Sequence, residues 1–104
     1  MTEEELILEE KRRLIDRIDD RIAGALADRF VISRTIMDLK RDEDLPAEDK
    51  TREDEIVDRI IEEYPSLDES LVKGIYWLIF DNSKKDIAPK QPKKLDVIER
   101  LKKL

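Results

Sequence analysis

Residues 8–40 contain no proline and repeat apolar side chains at helical spacing. The repeating positions, which we call the seam, are Leu8, Lys11, Ile15, Ile18, Ile22, Ala25, Arg29, Ile32, Ile36 and Leu39. Their alternating steps of three and four residues match the a and d positions of a heptad, along which a long helix packs against a partner. The chain is therefore predicted to be organised around one long helix.

Arg29 is the exception within the apolar part of the seam. A coiled coil favours Ile or Leu there, and a desolvated guanidinium requires an anion or several acceptors opposite it. One interpretation is an ion pair with a Glu or Asp of a neighbouring helix, or a polar residue that sets the register. The other is a buried site for a negatively charged ligand.

Two further cations, Arg12 and Lys40, lie in the column beside the seam. They are 28 residues apart, which is about 42 Å along one helix. No small anion could touch both on the same chain. If both serve one ligand, Arg12 comes from a second copy of the protein, and the site is shared within a dimer.

The composition favours a helical bundle of one domain. Charged residues make up 46% of the 104 residues and aromatics 5%, with two glycines and four prolines, which does not suit a sheet protein. A net charge of −6 without a basic face argues against nucleic-acid binding. An anionic substrate would need a local cluster of cations.

The chain lacks cysteine and histidine. This excludes thiol nucleophiles, disulfides, Ser-His-Asp catalysis and the usual zinc ligands. The acidic N-terminal residues are followed by no apolar segment of a signal peptide or membrane span, so we expect a cytoplasmic protein.

Local signals predict the helix ends. Thr2 is a suitable N-cap for the first helix, and Pro46 follows its polar end. Gly24 within that helix suggests the close approach of another helix.

A second helix is predicted over residues 51–64, with Asp49 or Thr51 as its cap. Its apolar stripe consists of Ile56, Val57, Ile60, Ile61 and Tyr64.

Arg52 and Glu53 fall in the first turn of the second helix but off its stripe. They fit an ordinary solvated helix start, where the helix dipole favours Glu53 and mildly disfavours Arg52.

The third helix follows Pro65, and the capping box of residues 66–69 is predicted to start it. It is the most apolar segment, so it should lie in the middle of the bundle. Ser83 continues its inward face and needs a hydrogen-bond partner, which is often the backbone of its own helix. Trp77 is interpreted as a packing residue, placed at a subunit contact.

The prolines at 89 and 92 indicate a short linker, so we divide the chain into a helical domain, residues 1–88, and a tail, residues 89–104. The tail is basic and has apolar residues every third position, at Leu95, Ile98, Leu101 and Leu104. This pattern predicts either an amphipathic helix docked on the bundle or a segment that is ordered by a partner.

One series of spacings resembles the all-helical class of chorismate mutase, over residues 6–87. Asp19 follows Arg12 by seven positions, Arg29 follows Asp19 by ten, and Lys40 follows Arg29 by eleven. The series continues with Pro46, Asp49, Arg52, Glu53 and Ser83. The resemblance implies an intertwined homodimer of three-helix chains, whose two sites are each built from both subunits.

The implied reaction is the rearrangement of chorismate, a small dicarboxylate, to prephenate in aromatic amino-acid biosynthesis. By the resemblance, Arg29 and Arg12 of the second chain hold the carboxylates, and Lys40 donates to the ether oxygen of the breaking bond. Arg52 and Ser83 would assist in binding the carboxylates. Glu53 and the backbone near Asp49 would position the ring hydroxyl. Such a pericyclic step needs no cofactor, metal or nucleophile, only a compressed conformer and well-placed cations.

One position departs from the family. A glutamine or protonatable glutamate usually lies four residues beyond Ser83, beside the lysine at the ether oxygen, but here that residue is Ile87. Asp86 could substitute if it were protonated or if the helix were slightly rewound. Gln91 lies beyond a proline and is a poor candidate. Loss of one such donor typically costs about 3 kcal/mol of transition-state stabilisation.

The sequence leaves two alternatives to the mutase open. One is the related isochorismate-pyruvate lyase, which a test for pyruvate release would distinguish. The other is a non-catalytic helical dimer that binds an aromatic-pathway metabolite or partner protein, such as an enzyme of that pathway, through residues 93–104.

Overall fold

The computed structural model describes residues 1–85 and residue 102. Residues 1–85 form three helices: α1 (Glu3–Asp42), α2 (Lys50–Glu63) and α3 (Glu69–Lys84). No strand occurs among the described residues. The predicted all-α fold with a long first helix is confirmed.

Helix α1 has 40 residues, which corresponds to about 60 Å. Thr2 caps it as predicted, since the Glu5 amide donates to Thr2 Oγ1 at 3.2 Å. At its other end Asp44 adopts φ 55°, and the Leu45 amide donates to the Lys40 carbonyl at 2.8 Å. The chain thereby turns back towards the start of α2 beside Lys40.

Helix α2 begins one residue before its predicted start and is capped by Asp49, whose Oδ1 accepts from the Arg52 amide at 3.0 Å. The predicted start of α3 is wrong. Asp68, not Ser66, is its N-cap, and Oδ2 of Asp68 accepts from the Leu71 amide at 3.0 Å. Ser66 lies instead in the preceding turn, which the Leu67 amide closes by donating to the Tyr64 carbonyl at 3.0 Å.

Helix α3 lies in the middle, as predicted. It packs against both α1 and α2, whereas no packing between α1 and α2 is found among the described residues. The two buried apolar side chains, Val72 and Ile79, both belong to α3. This arrangement leaves a gap over α3, between the second half of α1 and the start of α2.

Residues 3–25, which include the first half of α1, are all exposed. The exposed fraction reaches 55% for Ile15 and 54% for Ile22. At Gly24 a Cβ would meet no atom within 4 Å, so the close approach predicted there is not found among the described residues. Trp77 is 64% exposed, so most of its side chain is left uncovered.

None of the helices in the described part of the chain is long and apolar enough to cross a membrane. The cytoplasmic location stays a prediction. The linker, Ile87 and all of the tail except residue 102 lie outside the described residues, so the division after residue 88 also stays a prediction.

Candidate active site

The gap over α3 forms an open cavity of about 320 Å³ to which all three helices contribute. It contains six of the seven site residues predicted from the sequence, namely Arg29, Lys40, Asp49, Arg52, Glu53 and Ser83. Apolar walls are supplied by Ile32, Ile36, Met37, Ile56 and Phe80. Residues that are up to 54 positions apart in the sequence thus line one space.

Arg29 is half-buried, and its guanidinium lies over two aromatic rings of α3. The guanidinium carbon is 5.5 Å from the ring centroid of Phe80 and 6.0 Å from that of Tyr76. The cation is therefore held by the faces of the rings. One interpretation of the sequence predicted an ion pair between Arg29 and a Glu or Asp, and no such pair is found among the described residues. The N–H groups of the guanidinium therefore remain able to bind a ligand.

Lys40 reaches the cavity from the last turn of α1. Its Nζ donates to the Ala47 carbonyl at 3.4 Å, a bond that links the end of α1 to the loop before α2. An ammonium group has three donors. At least one N–H of Lys40 therefore remains for a ligand in the cavity.

The first turn of α2 contributes Asp49, Arg52 and Glu53. Asp49 uses its carboxylate as the helix cap, so its side chain is already engaged. Arg52 forms a long ion pair of 3.7 Å with Glu55, and both side chains are more than 60% exposed. Exposed pairs of this kind contribute about 0–1 kcal/mol, so Arg52 can turn towards an anion at little cost.

Ser83 closes the cavity from α3. Its hydroxyl donates to the Ile79 carbonyl at 2.7 Å, which is the bond to its own helix that serine often makes. A hydroxyl has a single donor. Ser83 must rotate away from this carbonyl before it can donate to a bound carboxylate.

Lys84 also lines the cavity, and sequence reasoning missed it. Its Nζ lies 2.7 Å from Glu53 Oε2 and 3.2 Å from Glu48 Oε1. The hydrogen bond to Glu53 is the main cause that raises the pKa of Lys84 above 10.5. In the sequence Lys84 is one of two adjacent lysines near a helix end, and nothing there distinguishes it from Lys85.

Arg12 is the one predicted site residue that the chain does not bring to the cavity. It is exposed in the first half of α1, 17 residues before Arg29, and this spacing corresponds to about 25 Å along the helix. That distance is several times the length of an arginine side chain.

The cavity is positively charged although the chain as a whole carries −6. Four cations and two carboxylates line it, which gives a net charge of +2. The four cations offer hydrogen-bond donors and positive charge to an anion. They can bind and orient it, and they can stabilise negative charge that develops during a reaction.

Comparison with known protein families agrees with this geometry. Residues 11–86, which are 76 of the 104 residues, match the family model described as chorismate mutase type II. No curated protein and no solved structure matches the chain. The matched range includes all seven predicted site residues, and nothing found favours the lyase or the non-catalytic dimer. The chain therefore belongs to the chorismate mutase type II family, and it is an intramolecular isomerase that rearranges chorismate.

Proposed function

We propose that the cavity over α3 is where chorismate binds and rearranges, and that each cavity is completed by Arg12 of a second subunit. The observation that carries the proposal is the local charge of +2 on a chain of charge −6. A small dicarboxylate is the ligand class that this charge fits. The volume, about 320 Å³, lies at the lower end of the range for small-molecule sites.

Arg29 is proposed to bind one carboxylate of chorismate. Its planar guanidinium can make two parallel hydrogen bonds to a carboxylate, and the rings of Tyr76 and Phe80 restrict the orientation of the plane. Arg52 and Ser83 assist at the carboxylates, Arg52 by leaving its long pair with Glu55 and Ser83 by rotating away from its own helix.

Lys40 is proposed to donate to the ether oxygen of the bond that breaks. Negative charge develops on that oxygen in the transition state, so a fixed ammonium stabilises the transition state more than the substrate. The bond from Lys40 to the Ala47 carbonyl keeps the ammonium at the rim. Glu53 accepts a hydrogen bond from the ring hydroxyl, which the backbone near Asp49 also contacts.

The homodimer is supported by the apolar surface that one chain leaves uncovered. Ile15, Ile18 and Ile22 of the seam are all more than 40% exposed. A second exposed stripe runs along α3 through Leu71, Ile75 and Leu78. Contiguous apolar surface of this kind marks an interaction site in a small protein.

A dimer in which the first half of α1 crosses the second subunit would cover these stripes. It would also place Arg12 near the cavity of the second subunit, whereas Arg12 cannot reach the cavity of its own chain.

The Lys40→Ala variant tests the proposed role of Lys40. We expect kcat to fall about 10²- to 10³-fold, the usual effect of removing one transition-state donor, while KM changes much less. Loss of chorismate absorbance follows the rate. The matched control is Arg41→Ala, which removes the neighbouring cation that pairs with Asp38 at 3.6 Å on the exposed face. Equal kinetics of the two variants would contradict the proposed role.

A further inference from the structure

Lys84 forms an ion pair that joins two helices, unlike the pairs of Lys73 with Glu69 or Arg59 with Glu63, which join residues four apart on one helix. It links the end of α3 to the first turn of α2. We propose that Lys84 is a positioning residue that holds Glu53 at the wall of the active site and offsets its negative charge. This inference rests on the proposed function, in which Glu53 faces the substrate.

The geometry of the pair supports a fixed carboxylate. Lys84 Nζ is 2.7 Å from Glu53 Oε2, and the side chain of Glu53 is only 15% exposed. Charge-assisted bonds of this length are the strong ones, and partial removal from water strengthens them further. Glu48 contacts the same ammonium at 3.2 Å from a mainly exposed side chain, so it is the weaker of the two partners.

The pair leaves Glu53 able to bind substrate. Lys84 occupies Oε2, while a carboxylate has acceptor positions on both oxygens. Oε1 can therefore accept the ring hydroxyl. A rotation of Glu53 about its side-chain bonds would break the bond to Lys84, so the pair selects one orientation.

The pair also compensates the negative charge of Glu53. An uncompensated carboxylate in the wall would repel a dianionic substrate, and Arg29, Lys40 and Arg52 form no ion pair with Glu53. Lys84 is the cation that neutralises it. Beyond Lys84 lies a second groove between α2 and α3, of about 520 Å³, which Glu53 also lines. The pair therefore forms the boundary between the active site and this groove.

The test is a double-mutant cycle with Lys84→Met and Glu53→Gln. Lys84→Met alone is expected to lower kcat/KM about tenfold, the size of coupling found between residues that share a hydrogen-bonded charge pair. In the Glu53→Gln background the same substitution is expected to change kcat/KM less than twofold, because Lys84 acts through Glu53. Lys84→Arg, which keeps the charge, should recover most of the loss.

The matched control is Lys85→Met, which removes the same charge from the next residue, where the lysine pairs with Asp81 on its own helix. It should keep the parent kcat/KM. Thermal unfolding of every variant separates a loss of fold from a loss of positioning.

Additive effects of Lys84→Met and Glu53→Gln would overturn the inference, and so would unchanged activity of Lys84→Met. The proposed function fails by a different result, which is unchanged activity when Lys40 or Arg29 is replaced.

Discussion

Mixing two impaired variants, Arg12→Ala and Arg29→Ala, is expected to restore activity. Each substitution alone removes a cation that is proposed to bind the substrate carboxylates. Truncating one partner of a buried charge pair costs about 2–5 kcal/mol, so each variant should lose about 30-fold or more in kcat/KM. The two residues are about 25 Å apart on one straight helix, so only a second subunit can place them in the same cavity.

The expected recovery follows from the symmetry of a dimer. If equal amounts of the two variants reassort at random, about half of the dimers contain one chain of each kind. In such a dimer one cavity has both arginines and the other has neither. About a quarter of all sites are then intact, and the mixture should reach about 25% of the wild-type rate.

The assay is the loss of chorismate absorbance after the variants are unfolded and refolded together, so that subunits exchange. The matched control for Arg12→Ala is Arg13→Ala, since Arg13 is 71% exposed and pairs with Glu9 on the same helix. It should keep wild-type activity. A refolded mixture that contains mixed dimers but is no more active than its parents would refute the shared site.

Two further predictions concern stability, measured by unfolding at fixed protein concentration because the stability of the proposed dimer would depend on that concentration. Asp49→Ala should destabilise the fold by about 1 kcal/mol through loss of the α2 cap. Asp49→Asn keeps an accepting oxygen and should retain most of the stability. Equal losses of stability in the two variants would exclude capping as the cause. The pKa of Lys84 is raised in the folded state above its ordinary value of 10.5, so its ion pair stabilises the fold fully below that pH and loses this contribution as pH rises through the folded pKa. The stability difference between wild type and Lys84→Met should therefore shrink at strongly alkaline pH, and a constant difference would contradict the assignment.

Local sequence signals predicted the caps of the first two helices. Thr2 was the single candidate for α1, whereas Asp49 and Thr51 were both candidates for α2, and Asp49 is the one that caps it. Before α3 two candidates compete, since Ser66 and Asp68 can both cap. The turn of residues 64–67 decides between them, and the hydrogen bond that closes it, from the Leu67 amide to the Tyr64 carbonyl, is not visible in the hydrophobic pattern.

The site residues were predicted through the family's spacings more than through their local surroundings. Helical periodicity marks Arg29 as unusual, but it could not show that its partners are the rings of Tyr76 and Phe80. Those contacts join residues 47 and 51 positions apart. Lys84 was missed for the same reason, because its partner Glu53 is 31 positions away and depends on how α3 crosses α2.

The most direct measurement is the conversion of chorismate to prephenate by the purified wild-type protein, beside Arg29→Ala, in buffer that contains a metal chelator. The cations of the cavity are proposed to suffice for catalysis, although Ile87 replaces the family's usual donor. Wild-type protein should therefore consume chorismate well above the uncatalysed rate, and the variant should lose nearly all of that activity. A well-folded wild-type dimer that leaves chorismate unchanged, or a fully active Arg29→Ala variant, would contradict the proposed active site.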